Sequence, residues 1–406
     1  MNYGFQVTMT PFKRVVLSVL ICMPCAWAQS PTISTVAYGT APNQTMRVYT
    51  PAGMLATDTI TPIVYIHGGG WNKGAYNDVT ITPPTCPNAD TVACALVESG
   101  YPVYDIGYTL VDWGIGGGNL MLSLTNDLMV STKSYVFTSA DINSSLMITK
   151  GIGWTLGSYT IVGAQNGWAI LNSLPGTKAT IGNHTASFNL VAAGTSFPRQ
   201  WQDTSCALSW MADNLGLNYP GNPNNIIMVG HSAGGHLVLL ASLMKPATPG
   251  APPTNCVSQN TNYTVSLIVA YSPPSDLVSL YTETSSSQEA IRNFLGCIPG
   301  TQNCNATIGA QASPITWLNL GQPPILIYSG AEDLDLPAEN GAEVVTGSLA
   351  LGVTTASQTI LQGMSHPLDL YYFVPCSAGP IAPEPSPCGS AGQAFQDAFA
   401  YIQELQ

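Results

Sequence analysis

Gly230-His231-Ser232-Ala233-Gly234 sets one serine between two glycines, after the apolar run Asn225-Ile-Ile-Met-Val-Gly230 and before a helical apolar pattern from His236 to Met244. A G-x-S-x-G motif between a strand and a helix builds a strained turn that lifts the serine hydroxyl out as a nucleophile. The helix that begins at the serine aims its N-terminal dipole at an oxyanion developing there. A second motif, His67-Gly68-Gly69-Gly70-Trp71, follows the short apolar run Thr61-Pro-Ile-Val-Tyr-Ile66. Consecutive glycines let the backbone approach a ligand and turn N–H groups toward it. The N–H groups of Gly68, Gly69 and Ala233 are therefore expected to form an oxyanion hole. Gly70 either replaces one of those glycines or shapes the loop, and Trp71 is a candidate wall of the substrate pocket as well as for ordinary packing.

A nucleophilic serine needs a base, and the base needs an orienting acid. The chain has five histidines. His67 lies in the glycine loop, His231 and His236 flank the serine, and His184 falls in a stretch of different character. His366 alone comes late, after the last strand, and is the expected base. The acid should come from the loop after the preceding strand, where Ser329-Gly-Ala-Glu-Asp-Leu-Asp335 offers Glu332, Asp333 and Asp335. The residues by themselves leave that choice open.

These groups need a scaffold that brings distant loops to one edge. Short apolar runs at 47–49, 61–66, 101–106, 225–230, 266–271, 324–328 and 358–361 read as strands, and 391–405 as a closing amphipathic helix. Buried strands alternating with helices predict an α/β fold with a mostly parallel sheet covered on both faces. The stretch 111–197 breaks the pattern. It is rich in Gly, Ser, Thr and Asn, with short period-two runs at 135–137, 146–148 and 159–162. We read it as an inserted β-rich module, loosely similar to small β-modules of phage structural proteins. Its aromatic residues Trp113, Trp154, Tyr159 and Trp168 serve either as the module's own core or as a surface for a polymer.

Composition narrows the partners. Charged residues make up 8% of the 406, with 10 basic against 22 acidic side chains and a net charge of −12, where an average chain has about 25% charged. The acidic balance argues against nucleic acid and against a polybasic membrane tether. Lys13 and Arg14, the apolar run 15–26 and Ala26-Trp27-Ala28 follow the order of an export signal, so residues 1–28 are expected to be removed. That apolar run is shorter than the ~20 residues of a membrane span, and no later run is long enough. Secretion or a periplasmic location is the expectation. Eight of the 10 cysteines lie beyond the signal, an even number that suits disulfides in an exported chain. Cys297–Cys304 and Cys376–Cys388 are plausible bridges. No cluster of metal ligands appears, so neither metal nor cofactor is implied.

The chain resembles the α/β-hydrolase superfamily, and within it the secreted esterases with an HGGGW loop: hormone-sensitive-lipase-like carboxylesterases and the bacterial feruloyl and acetyl-xylan esterase type. The likeness covers about 36–110 and 198–406. It rests on the two motifs above, on Val36-Ala-Tyr-Gly39 with Arg47-Val-Tyr-Thr-Pro51, on Gly107-Tyr-Thr-Leu110, and on Asp203 through Trp210 to Asn214. It also rests on 323–337, where Ser329-Gly330 stands in place of the family's His-Gly. Counting from that pair, the resemblance selects Asp333 as the acid. It implies an α/β-hydrolase domain of 29–110 and 198–406 interrupted by the module at 111–197, with Ser232, Asp333 and His366 in the superfamily's chain order. The implied activity is hydrolysis of a small-molecule or polymeric carboxylic ester. An amidase, formamidase or peptidase on the same three residues, and a non-catalytic exported binding protein, are the rival readings.

Overall fold

The computed structural model describes residues 31–75, 96–97, 99–244, 256–301, 304 and 306–366. The expected signal 1–28, the closing helix 391–405 and the Cys376–Cys388 pair lie outside them.

Eight strands form the central sheet: β1 (Thr32–Ala37), β2 (Thr45–Thr50), β3 (Ile63–Ile66), β4 (Val103–Ile106), β11 (Ile226–His231), β12 (Val265–Tyr271), β13 (Ile325–Gly330) and β14 (Ala356–Leu361). Their order is β1-β2-β4-β3-β11-β12-β13-β14. β2 runs antiparallel to both neighbours, β1 and β4, and every other pair is parallel. All residues of β3, β4 and β11 are buried, as a sheet covered on both faces requires. Alternate side chains serve opposite cores. Val64 and Ile66 of β3 join Met228 and Ile268 on one face, while Ile63 and Tyr65 join Ile227, Val229 and Leu267 on the other.

Between β4 and the next sheet strand the chain leaves to form a closed six-stranded barrel: β5 (Ile115–Leu122), β6 (Met129–Ser131), β7 (Ser145–Gly151), β8 (Gly157–Gln165), β9 (Trp168–Leu171) and β10 (Ala186–Val191), ordered β10-β5-β6-β9-β8-β7. A four-residue helix, α1 (Lys178–Ile181), precedes β10. Closure removes the open edges that an inserted sheet would otherwise expose. The runs read at 146–148 and 159–162 are β7 and β8. The run at 135–137 forms no strand: Phe137 makes an isolated bridge to Gly167, and the capped turn that starts at Thr138 ends the extended segment. The barrel has its own core of Leu146, Ile148, Tyr159, Ile161 and Phe188. It also shares Met147 and Val191 with the main core.

The chain returns through α2 (Arg199–Asn214) to β11 and the buried helix α3 (Ala233–Leu243). Among the described residues the further α-helices are α4 (Leu277–Glu283), α5 (Gln288–Leu295), α6 (Ala306–Ala312) and α7 (Glu339–Ala350). α2 is pinned by Asp203. This fully buried carboxylate accepts from Gln44 Nε2 at 2.8 Å and Thr109 N at 2.7 Å, and pairs with Arg199 Nε at 3.1 Å. Burial pushes its pKa up, and those partners work against the rise. A disulfide between Cys206 and Cys256 fastens the same helix to the segment bridging Gly39. The Cys297–Cys304 bridge read from the sequence is present.

Removing the Asp203 carboxylate takes away the acceptor that Gln44, Thr109 N and Arg199 share. Asp203→Ala is expected to cost about 1–3 kcal/mol of stability, read as a lowered urea midpoint. A change under about 0.5 kcal/mol would contradict this account of α2.

Candidate active site

Ser232 sits between β11 and α3 with φ 54° and ψ −121°. Positive φ is costly for a serine, and close packing on both sides holds it there. A Cβ on Gly234 would lie 2.0 Å from the Ile66 carbonyl oxygen, and one on Gly230 would lie 2.4 Å from the Gly234 oxygen. Only glycine allows helix and strands to meet this closely. Ser232 N donates to Tyr271 O, and Ser232 O accepts from His236 N. Ala233 is the first helical residue, where N–H groups lack intrahelical acceptors.

The glycine loop leaves β3 directly beside this turn. A Cβ on Gly68 would approach Ser232 Cβ to 3.3 Å and the His231 carbonyl oxygen to 3.0 Å. Gly69 O accepts from Asn72 N and Lys73 N, which closes the loop on itself. Tyr108, from the segment after β4, braces it from outside. Its ring stacks on His67 at 4.4 Å, and its hydroxyl lies 3.3 Å from the His67 and Gly68 carbonyl oxygens. Nothing local in Gly107-Tyr-Thr-Leu110 signals the bracing role of Tyr108, which arises from tertiary contact.

Trp71 is buried, stacked on Phe294 at 4.4 Å, with its indole N–H donating to His236 Nδ1 at 3.3 Å. His236 Nε2 lies 2.7 Å from Ala312 O. An imidazole that donates from Nε2 and accepts at Nδ1 is neutral, and burial agrees by pulling the His236 pKa down to about 4. His236 is thus a packing strut, and Trp71 both packs and lines the cleft.

Of the three candidate acids, Glu332 and Asp335 are exposed and Asp333 is buried. Asp333 Oδ1 accepts from Leu336 N at 2.8 Å and Asp335 N at 3.1 Å, and Oδ2 lies 2.9 Å from His366 Nδ1. Burial pushes the Asp333 pKa up, but the His366 and Leu336 contacts outweigh it and hold the carboxyl below 3.8. An ionised carboxylate only accepts, so His366 Nδ1 donates to it, and in the neutral imidazole that orientation leaves Nε2 as the acceptor. The loop carrying His366 packs on the end of β13, where Glu332 N donates to Met364 O. Ser329 accepts from Gln358 Nε2 at 2.9 Å, so β14 supplies its local partner. His231 stacks on His366 with ring centres 5.2 Å apart. Burial, aided by the neighbouring His366, drives its pKa down to about 3, so it adds no charge beside His366 at neutral pH.

One cleft of about 180 Å³ is lined by Trp71, Ser232, Ala233, His366, Leu280 and Ile291, among others. Gly70 also reaches it. The barrel adjoins this region through α5, with Ser145 Oγ donating to Gly296 O and Asn189 Nδ2 to Glu289 Oε1. His184 is exposed on the barrel. Among the described residues no group of acidic, Cys and His side chains has a metal-binding arrangement, and no helix is long and apolar enough to cross a membrane.

Two outcomes follow from this geometry. Gly234→Ala should abolish soluble folded protein or cost more than about 1–3 kcal/mol, seen by expression yield and thermal unfolding; wild-type stability would refute the close contact. The depressed pKa of Asp333 stabilises the fold above its unfolded value of 3.8, and that contribution is lost as pH falls through the folded value. Asp333→Asn should therefore weaken the dependence of stability on pH below about pH 4. Parallel urea midpoints for both proteins across that range would contradict it.

The comparisons agree with the fold. Residues 178–346 match the BD-FAE family model. That stretch contains Ser232 and Asp333 but not the glycine loop or His366. Esterase LipC of Mycobacterium tuberculosis is 28% identical over 231 residues, covering 55% of this chain and 53% of LipC. Isoprenylcysteine alpha-carbonyl methylesterase of Arabidopsis thaliana is 25% identical over 190 residues, covering 44% of this chain and 41% of its own. The chain thus spans about half the length of the curated relatives it matches. Among solved structures, a truncated carbohydrate esterase from gut microbiota superposes with a TM-score of 0.55 at 15% identity, covering 93% of this chain and 98% of that one. Esterase B of Lactobacillus rhamnosis gives 0.55 at 15% identity, covering 93% and 88%. At such identity the likeness is one of fold. The chain thus shares the fold of these esterases and is similar in sequence, over about half its length, to curated esterases.

Proposed function

We propose that this chain is an exported serine esterase for carboxylic esters with short acyl groups. The observation that carries the reading is the 2.9 Å contact of buried Asp333 with His366, which lines the same cleft as Ser232. Ser232 Oγ attacks the ester carbonyl carbon as His366 Nε2 takes its proton. The N–H groups of Gly68, Gly69 and Ala233 hold the resulting oxyanion. The C–O bond to the alcohol then breaks, and His366 returns the proton to the leaving oxygen. Water attacks the acyl-serine with His366 again as base, and the acid departs. Asp333 keeps the imidazole in the tautomer needed and stabilises the imidazolium.

The acyl preference follows from the walls. A cleft of about 180 Å³ is smaller than the roughly 300–1,000 Å³ of pockets for drug-sized ligands. Leu280 and Ile291, both buried, line it. Acetyl esters suit this space better than long chains, and feruloyl esters are the larger substrate to compare. The Cys206–Cys256 and Cys297–Cys304 bridges support an oxidising compartment.

Nitrophenyl esters of increasing acyl length provide the test. Turnover should be highest on acetate and fall with length. Ser232→Ala should lower kcat by roughly 10⁴ or more without loss of fold. Full activity in Ser232→Ala rejects the reading. Hydrolysis of matching amides or formamides in place of esters would move the same three residues to the rival chemistry.

A further inference from the structure

The four aromatic residues noted in the inserted stretch have separate fates. Tyr159 is buried in the barrel core, its hydroxyl donating to Thr155 O at 2.6 Å. Trp154 is buried there too, with its indole N–H on His184 O at 3.0 Å. Trp113 packs against the main core. Trp168 alone among them faces outward from the barrel wall. In β9, Ala169 and Leu171 are buried, while Trp168 and Ile170 alternate to the other side. The two-residue turn Asn166-Gly167, with φ 52° and 81°, presents Trp168 at the tip of the β8–β9 hairpin.

Trp168 borders a cleft of about 500 Å³, more than twice the volume of the one at Ser232, and the two share no lining residue. Met121, Leu122 and Leu124 supply its other apolar surface, and Ser123, Thr125, Asn183 and His184 its polar groups. The loop carrying Asn183 and His184 is anchored through its backbone, by the Trp154 bond and by His184 N on Ile181 O. The side chains of both residues are exposed. No acidic or basic side chain apart from His184 lines the cleft. The barrel carries Lys133, Lys150 and Lys178 against Asp127 and Asp141, so it is nearly neutral in a chain of net charge −12.

We propose that this cleft binds a segment of an uncharged polysaccharide. An outward indole gives the apolar face of a sugar ring a flat surface. Amide, imidazole and hydroxyl groups along the cleft match its hydroxyls. The absence of a charged lining gives no purchase to an anionic polymer. A closed barrel leaves no strand edge for an extended peptide to pair with. Bound there, the barrel would hold the hydrolase on its polymer while the Ser232 cleft acts on pendant esters. The binding itself does not depend on the esterase reading.

Electrophoresis of the full chain in native gels containing neutral xylan, glucomannan or mixed-linkage glucan tests the proposal. At least one polymer should retard the wild type, and Ser232→Ala should be retarded equally. Trp168→Ala should bind about tenfold more weakly, the equivalent of about 1.4 kcal/mol, while hydrolysing soluble nitrophenyl acetate at the wild-type rate. If Trp168→Ala fails to fold, Asn183→Ala with His184→Ala takes its place. No retardation by any of the polymers, or equal retardation of the cleft variants, overturns the proposal. Binding to a hydrophobic polyester film but to no polysaccharide overturns it as well. Failure of esterase activity with intact, Trp168-dependent retardation would count against the proposed function alone.

Discussion

Gly234 packs so closely on the end of β3 that a single methyl group there would fall 2.0 Å from the Ile66 carbonyl oxygen. This contact joins the first turn of α3 to the strand whose next residues are the glycine loop. Gly68 makes the complementary approach, against the backbone of His231 and the side chain of Ser232. The serine turn and the glycine loop are therefore one packed unit, and the positive φ of Ser232 is held by that packing. The stacked rings of His231 and His366 extend the unit to the loop after β14. Residues separated by some 300 positions in the chain depend on one junction of β3, β11 and α3.

The electrostatics follow from burial around that junction. His231 and His236 are enclosed and kept neutral, at about 3 and about 4. His366 stays partly open to the cleft, with 14% of its side chain exposed. Three histidines near one serine are thus divided by environment into two fillers and one that faces the cleft. Asp333 is buried yet remains ionised because its partners offset the cost of desolvation.

Much of this arrangement was legible in the sequence, for physical reasons. The central strands are buried on both faces and so read as short apolar runs. The serine motif and glycine triplet are legible because close backbone approach tolerates few residue types. Elimination among five histidines leaves one candidate because the chain has so few. Other features carry no local signal. β5 contains Gly116, Gly117 and Gly118, which lack strand propensity, so its place in the barrel depends on pairing with β10. The Cys206–Cys256 bridge spans 50 residues and arises from where the fold brings α2. Tyr108 and Gln358 act through tertiary contacts to the glycine loop and to Ser329. Choosing Asp333 over Glu332 and Asp335 rested on resemblance, because burial, which distinguishes them here, is invisible in a run of neighbouring acids.

The most direct test of the central claim is the reaction of the protein with an alkyl fluorophosphonate, followed by intact and peptide mass analysis. Ser232 Oγ displaces fluoride only when it is activated as a nucleophile. The account predicts one adduct, on the peptide containing Ser232, with labelling strongly slowed in Asp333→Asn. No adduct on a folded protein, or an adduct on a different serine, would contradict it.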